Sequence, residues 1–348
     1  MRHGVTHLLA GWITLALSLA SAPALGQDAK PSGYRVLRTF ELGGDGGWDY
    51  LVVEPERHRL FISRVSHVMV VDSESGAIVG DIPGTAGVHG IALAPELGRG
   101  FVSNGDAASA TIFDLATLAA IGTVKTGEDP DAILYDPSTK RVFTFNGHSF
   151  DTTAIDAASG KVVGTLPLGG RPEFAVADGA GKIFVDIQDK AEVVAFDAAK
   201  LEVLARWPTA PGAQPSGLAL DAKRQRLFSG CRSGHLIALD SASGKLLATF
   251  PIGRGVDGVA FDAERGLAFA SNADGTLSVV REDGPGMFTQ LESVTTAEGA
   301  RTLTLDPKSH LLYLSTAKFE PLPPRQPGVP PPRPKTVDGT FKVLVVGR

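Results

Sequence analysis

The sequence predicts an all-β fold, a seven-bladed β-propeller with four-stranded blades, and three observations lead there. First, a short apolar run ahead of a turn recurs as WDYLVVEP, VHGIALAP, PDAILYDP, PEFAVADG, PSGLALDA, VDGVAFDA and ARTLTLDP. Their second residues are Asp49, His89, Asp131, Glu173, Ser216, Asp257 and Arg301, spaced by 40, 42, 42, 43, 41 and 44 residues. A steady period of this size marks a repeat architecture. Second, each run is followed by a further strand and then two more. Third, the last copy lacks a strand that the N-terminus has to spare.

The elements follow in order. The opening run of each repeat reads as an inner strand, and a second strand follows each turn: RLFISR, RGFVSN, RVFTFN, KIFVDI, RLFSGC, LAFASN and LLYLST. Third and fourth strands come next, as in TTAIDAASGKVVGTLPL, where Ser159 and Gly160 supply the turn chemistry. Four short strands at even spacing make one propeller blade. After LLYLST the last copy has a proline-rich insertion, residues 320–339, and then TFKVLVVGR, a third strand with no fourth behind it. The segment YRVLRTFEL, residues 34–42, resembles the fourth strands KVVGTLPL and KLLATFPI. It is expected to complete the seventh blade, closing the ring and removing open edges. Residues 34–348 are thus expected to form one domain, after a short disordered linker at 27–33.

The N-terminus reads as an export signal: Arg2 and His3, an apolar stretch at 8–20, then the small residues of SAPALGQ, with cleavage expected after Gly26 or Ala24. That stretch is short for a bilayer span, and no cysteine follows it to carry a lipid. The mature chain is expected in a periplasm or outside the cell, as a monomer without a membrane anchor. In such an oxidising place the lone Cys231 has no internal partner for a bridge. The formal charge of −5 gives no global attraction to phosphate backbones, so nucleic acid is not an expected partner.

The second-to-fourth-strand text, such as RGFVSNGDAASATIFDLATLAAIGTV and RVFTFNGHSFDTTAIDAASGKVVGTL, resembles the YVTN-repeat propellers, and residues 34–348 are similar to exported YncE-family proteins. The resemblance implies fold, export and repeat number. Activity is left open, because such propellers serve as binding scaffolds, lyases, lactonases and redox domains. No C-x-x-C-H haem attachment, G-x-S-x-G elbow, Walker loop, H-E-x-x-H pair or C-x-x-C pair is present.

Propeller topology assigns the loops to faces. Turns between first and second strands, and between third and fourth, share one face and carry a solvated mixture of charges. The other face receives the seven second residues, together with Arg64, Asn104, Asn146, His148, Asp186, Cys231, Arg232, Asn272 and Asp274. The expected ligand site is there, around the central channel. The seven positions are polar where an apolar residue would cost nothing structurally. With sheets about 10 Å apart, the ring is on the order of 20 Å across, so neighbours rather than opposed side chains can share an ion. Asp49, His89 and Asp131 are the candidate trio for a divalent metal such as zinc or manganese. The alternative is that these residues satisfy turn backbone and channel water.

Arg64, Arg232 and Arg301 offer forked donors to a carboxylate or phosphate, or else pair with nearby acids. Asn104, Asn146 and Asn272 suit left-handed turn geometry more than ligand contact. Trp48 can stack on a ligand or pack between blades, and His148 reads as an exposed loop residue. An adjacent Arg232 favours the Cys231 thiolate, against a buried, inert thiol. GGDGG at 43–47 offers amides to an anion or serves as a flexible lead-in. The insertion can act as a lid, a partner surface for another protein, or a spacer. Two functions remain in view. One is a binding scaffold for a small polar or anionic ligand, or a protein partner. The other is a metal-assisted lactone hydrolase or carbon-oxygen lyase, with Asp49, His89, Asp131 or Glu173 as ligands or base and Arg301 or Arg64 steadying developing charge.

Overall fold

The computed structural model describes Met1, residues 31–321 and residues 334–348. The expected export signal, most of the linker and the centre of the insertion lie outside the described residues. No helix among the described residues is long and apolar enough to cross a membrane.

Seven four-stranded antiparallel sheets form the ring. Their innermost strands are Leu51–Glu54, Val88–Ala94, Pro130–Asp136, Pro172–Ala177, Pro215–Asp221, Val256–Asp262 and Leu303–Leu305, and these pack on one another around the axis. The seventh sheet closes as the sequence predicts. Arg35–Glu41 runs antiparallel to Lys342–Gly347, with Phe40 opposite Val343 and Glu41 opposite Lys342. Tyr34 anchors the incoming chain by packing edge-on against Phe269 at 4.9 Å.

Blades cover both faces of their neighbours, so the middle strands have no polar side to keep wet. Leu60, Phe61, Ile62 and Ser63 are accordingly all fully buried in the second strand of blade 1. Its Phe61 recurs as Phe101, Phe143, Phe184, Phe228 and Phe269, with Tyr313 in the seventh blade, each at most 2% exposed. Burial of such a side chain contributes about 1.5–3 kcal/mol. Outermost strands, by contrast, keep only one packed face. Every outermost pairing carries a register shift, which twists the exposed edge away from other sheets.

Candidate functional site

The polar rim is built by one repeated irregularity. Ladder pairing jumps from Val88 to Ile91, Pro130 to Ala132, Pro172 to Ala175, Pro215 to Gly217 and Val256 to Gly258. The residues left out include His89, Asp131, Glu173, Ser216 and Asp257, so the second residue of these five runs is a bulged residue released from the sheet. Bulges re-aim side chains in this way. Hydroxyls of the second strand satisfy the backbone that the bulge frees: Ser103 Oγ accepts from Gly90 N at 2.9 Å, and Ser271 Oγ donates to Gly258 O at 3.2 Å. In blade 1, Ser63 Oγ accepts from Asp49 N and donates to Tyr50 O, both at 3.0 Å.

The rim residues meet one another in sequence around the ring. His89 Nδ1 donates to Asp49 Oδ2 at 2.7 Å and lies 3.3 Å from Asp131 Oδ1. Its Nε2 is 4.0 Å from Asp129 Oδ1, and Asp129 Oδ2 is 3.3 Å from His148 Nε2. Arg171 Nη2 donates to Asp131 Oδ2 at 3.3 Å, with its Nε 3.7 Å from Glu173 Oε1. Gln188 Nε2 donates to Glu173 Oε1 and, at 3.1 Å, to Ser216 Oγ. Across the mouth, Asp257 accepts from Arg232 Nη2 at 2.5 Å and from Arg301 Nε at 2.7 Å. Thr302 Oγ1 donates to Asp49 O at 2.9 Å, joining the seventh blade to the first. His89 and Arg301 therefore stand on one face.

Crowding shifts the charges. Burial pulls the His89 imidazole down, but the Asp49 hydrogen bond and the charges of Asp49, Asp131 and Asp129 outweigh it and raise the group to about 9. Burial, then the Asp49 charge, lifts Asp131 to about 6 against the pull of His89 and Arg171. Against the pull of Arg232 and Arg171, burial and the charges of Asp131 and Asp257 lift Glu173 to about 8, which favours its protonated form. Asp186, fully buried, is also raised by burial; its Oδ1 accepts from Ser229 Oγ at 2.9 Å and its Oδ2 has no hydrogen-bond partner among the described residues.

Several candidates stand apart from this group. Arg64 is 2% exposed and donates to the carbonyls of Gly47, Gly43 and Asp45 at 3.1, 3.2 and 2.9 Å while stacking over Phe341 at 3.8 Å. The 43–47 loop thus turns carbonyls toward a cation rather than amides toward an anion. Trp48 packs against Phe341 and Phe319, at 5.5 and 6.0 Å between ring centres. Asn104, Asn146 and Asn272 end their second strands without left-handed geometry. Their amides instead reach the third strand, as when Asn104 Nδ2 donates to Thr111 Oγ1 at 2.9 Å. Asn146 and Asn272 do the same with Thr153 and Ser278. Cys231 is fully buried, and burial pushes its thiol up to about 12, so the neighbouring Arg232 does not yield a thiolate. Asp274 accepts from Arg254 N at 2.8 Å and so ties its loop to the connection that enters the sixth blade. The described ends of the insertion pair as a stem, Glu320 N to Lys335 O at 2.8 Å, continued by Val337 N to Lys318 O just before it, beside the 43–47 loop, where Gly339 N donates to Gly44 O at 3.1 Å.

Four contributors escape a reading of the sequence. Asp129, Arg171 and Gln188 lie in connections outside the aligned strands. Tyr50 sits in WDYLVVEP, where it reads as one more strand residue. Its ring meets Phe174 of the fourth blade at 5.2 Å, across the axis. Burial and the charges of Asp49, Asp131, Glu173 and Asp257 hold its phenol well above the usual range. The two rings floor the polar mouth.

No protein-family model and no curated protein matches the chain. Among solved structures, the WD40 repeats of RRP9 superpose with a TM-score of 0.73 at 14% identity, over 92% of this chain and 99% of that one. U3-55K gives a TM-score of 0.72 at 14% identity, over 91% and 99%. Likeness at that identity speaks for architecture alone: the protein is a seven-bladed β-propeller with WD40-like structural neighbours.

Proposed function

We propose that the protein is an exported β-propeller scaffold whose polar mouth binds a small molecule bearing a carboxylate or phosphate. The observation that carries this reading is a set of under-used guanidinium groups on one rim. The side chains of Arg171, Arg232 and Arg301 are 39%, 40% and 36% exposed. Nη1 of Arg232 and both Nη atoms of Arg301 meet no acceptor among the described residues. Guanidinium N–H groups fixed by one carboxylate, with others open to solvent, suit a forked contact to an anion. The facing sector of Asp49, His89 and Asp131 suits a hydroxyl or ammonium group on the same ligand. The resemblance to YVTN-repeat and YncE-family proteins supports an exported scaffold. Fractionation tests export: the mature chain is expected outside the cytoplasm, beginning at Gln27. Thermal melts with succinate, acetate and inorganic phosphate test the ligand class. A rise in Tm with at least one is expected, and none with any would end the reading.

A second reading rests on Asp49, His89 and Asp131, whose donor atoms all lie within 4.8 Å of one another. One imidazole nitrogen and two carboxylate oxygens suit zinc or manganese, and such an ion would support the hydrolase or lyase reading. Elemental analysis of purified protein decides it. A stoichiometric ion lost in Asp49→Ala supports it, and metal-free protein whose Tm ignores chelator removes it.

A further inference from the structure

Below the Tyr50–Phe174 floor the channel changes character. A cavity of about 550 Å3 opens toward the face opposite the polar rim, lined by Val52, Ile91, Leu93, Ile133, Phe174 and Val176. A second space of about 310 Å3 continues it under Tyr50 toward Phe261, Leu303 and Leu305. Val52, Leu93, Ile133, Phe174 and Val176 are only half-buried, so their apolar surface is not consumed by packing. A bore that merely held water would suit polar side chains, as the rim above it shows. Here water finds few hydrogen-bond partners, and apolar cavities accept hydrocarbon readily. The volume falls within the roughly 300–1,000 Å3 typical of small-molecule sites.

We infer that this blind half-channel is a second binding site, which takes a neutral, hydrocarbon-rich small molecule from the face opposite the polar mouth. Charge at the opening supports the neutral class. Glu54 and Glu56 line it with Arg57, and Tyr135, also in the wall, donates to Glu96. Arg57 turns to Glu54 Oε1 at 3.5 Å and Leu115 O at 3.3 Å, Arg59 holds Glu54 Oε2 at 2.6 Å and Lys308 pairs with Glu56 Oε1 at 2.6 Å, so the charges at the opening are spent on one another and favour neither an anionic nor a cationic head group. This inference is independent of the mouth reading, because the cavity lining shares no side chain with the polar rim.

N-phenyl-1-naphthylamine, a neutral fluorescent probe, tests it on the purified full chain. Saturable enhancement is expected, unaffected by succinate and by His89→Ala. Ile133→Trp, which fills the cavity, is expected to weaken binding at least tenfold. Val176→Phe serves as a milder filling variant should Ile133→Trp fail to fold. Oleate is expected to compete poorly. Absence of saturable binding, or equal binding in a folded filling variant, overturns the inference; so does loss of binding in His89→Ala.

Discussion

The two rims of the propeller use carboxylates in opposite ways. On the turn face, Asp72, Asp114, Asp156, Asp197 and Asp240 stand at one place in five successive blades and do one job. Each accepts the backbone N–H three residues on, at 2.7–2.9 Å. Four also take a hydroxyl there, from Ser75, Thr117, Ser159 or Ser243. Those donors hold all five below the usual carboxylate range. On the mouth face one repeat position carries Asp49, His89, Asp131, Glu173, Ser216, Asp257 and Arg301, and Asp131 and Glu173 are pushed upward by burial and like charge. Sameness across blades marks a local turn device; divergence at a bulged position marks a collective one. Divergence is a pointer only, however. Arg64 replaces the asparagine of its neighbours and still serves structure.

The contrast can be broken or sharpened by variants, the most drastic first. Deleting residues 34–42 opens the ring that positions both rims, and calorimetry should show cooperative unfolding lost. Phe143→Ala removes a fully buried ring, so denaturant unfolding should register about 3–5 kcal/mol, with neither rim favoured. Arg64→Ala strips three backbone carbonyls of their donor and should cost about 2–4 kcal/mol, while the succinate response of the folded fraction stays intact. Loss of that response without loss of stability would return Arg64 to the site.

Glu173 gives the pH dependence. Its folded pKa is raised from 4.5 to about 8, so the stability tied to its protonated form is present below pH 4.5 and is lost as pH rises through 8. Glu173→Gln should flatten the decline in Tm between pH 5 and 9, gaining on the order of 2 kcal/mol at the alkaline end. A variant whose pH profile matches wild type would mean that Glu173 is not held protonated. Asp156→Ala, on the turn face, should cost under about 1 kcal/mol and leave ligand responses unchanged.

Blade number and ring closure were legible because the same strand text returns every 40–44 residues and YRVLRTFEL matches strands found late in other copies. The rim was legible as a list, since a polar residue held one aligned position throughout. Its wiring was not. Asp129 and Arg171 sit one residue ahead of the aligned runs and Gln188 one residue past an aligned second strand, where neighbouring copies carry glycine, valine or alanine as readily as a polar residue, and only the fold brings Arg171 between Asp131 and Glu173. The roles of Arg64 and the three asparagines were hidden for a different reason: identical residue types serve a ligand or a backbone, and only the partner decides. Tyr50 shows the limit of pattern reading, because an aromatic in an inner strand looks like core until it meets Phe174 across the axis.

Calorimetric titration of succinate tests the mouth most directly, comparing wild type with the Arg232→Gln/Arg301→Gln double variant at one salt concentration. The arrangement predicts measurable one-site binding in the wild type and at least a tenfold loss in the folded variant, whose Tm falls because Asp257 loses both guanidinium partners. Equal affinity in both proteins, or no heat from either, would contradict a guanidinium-lined anion site at the rim.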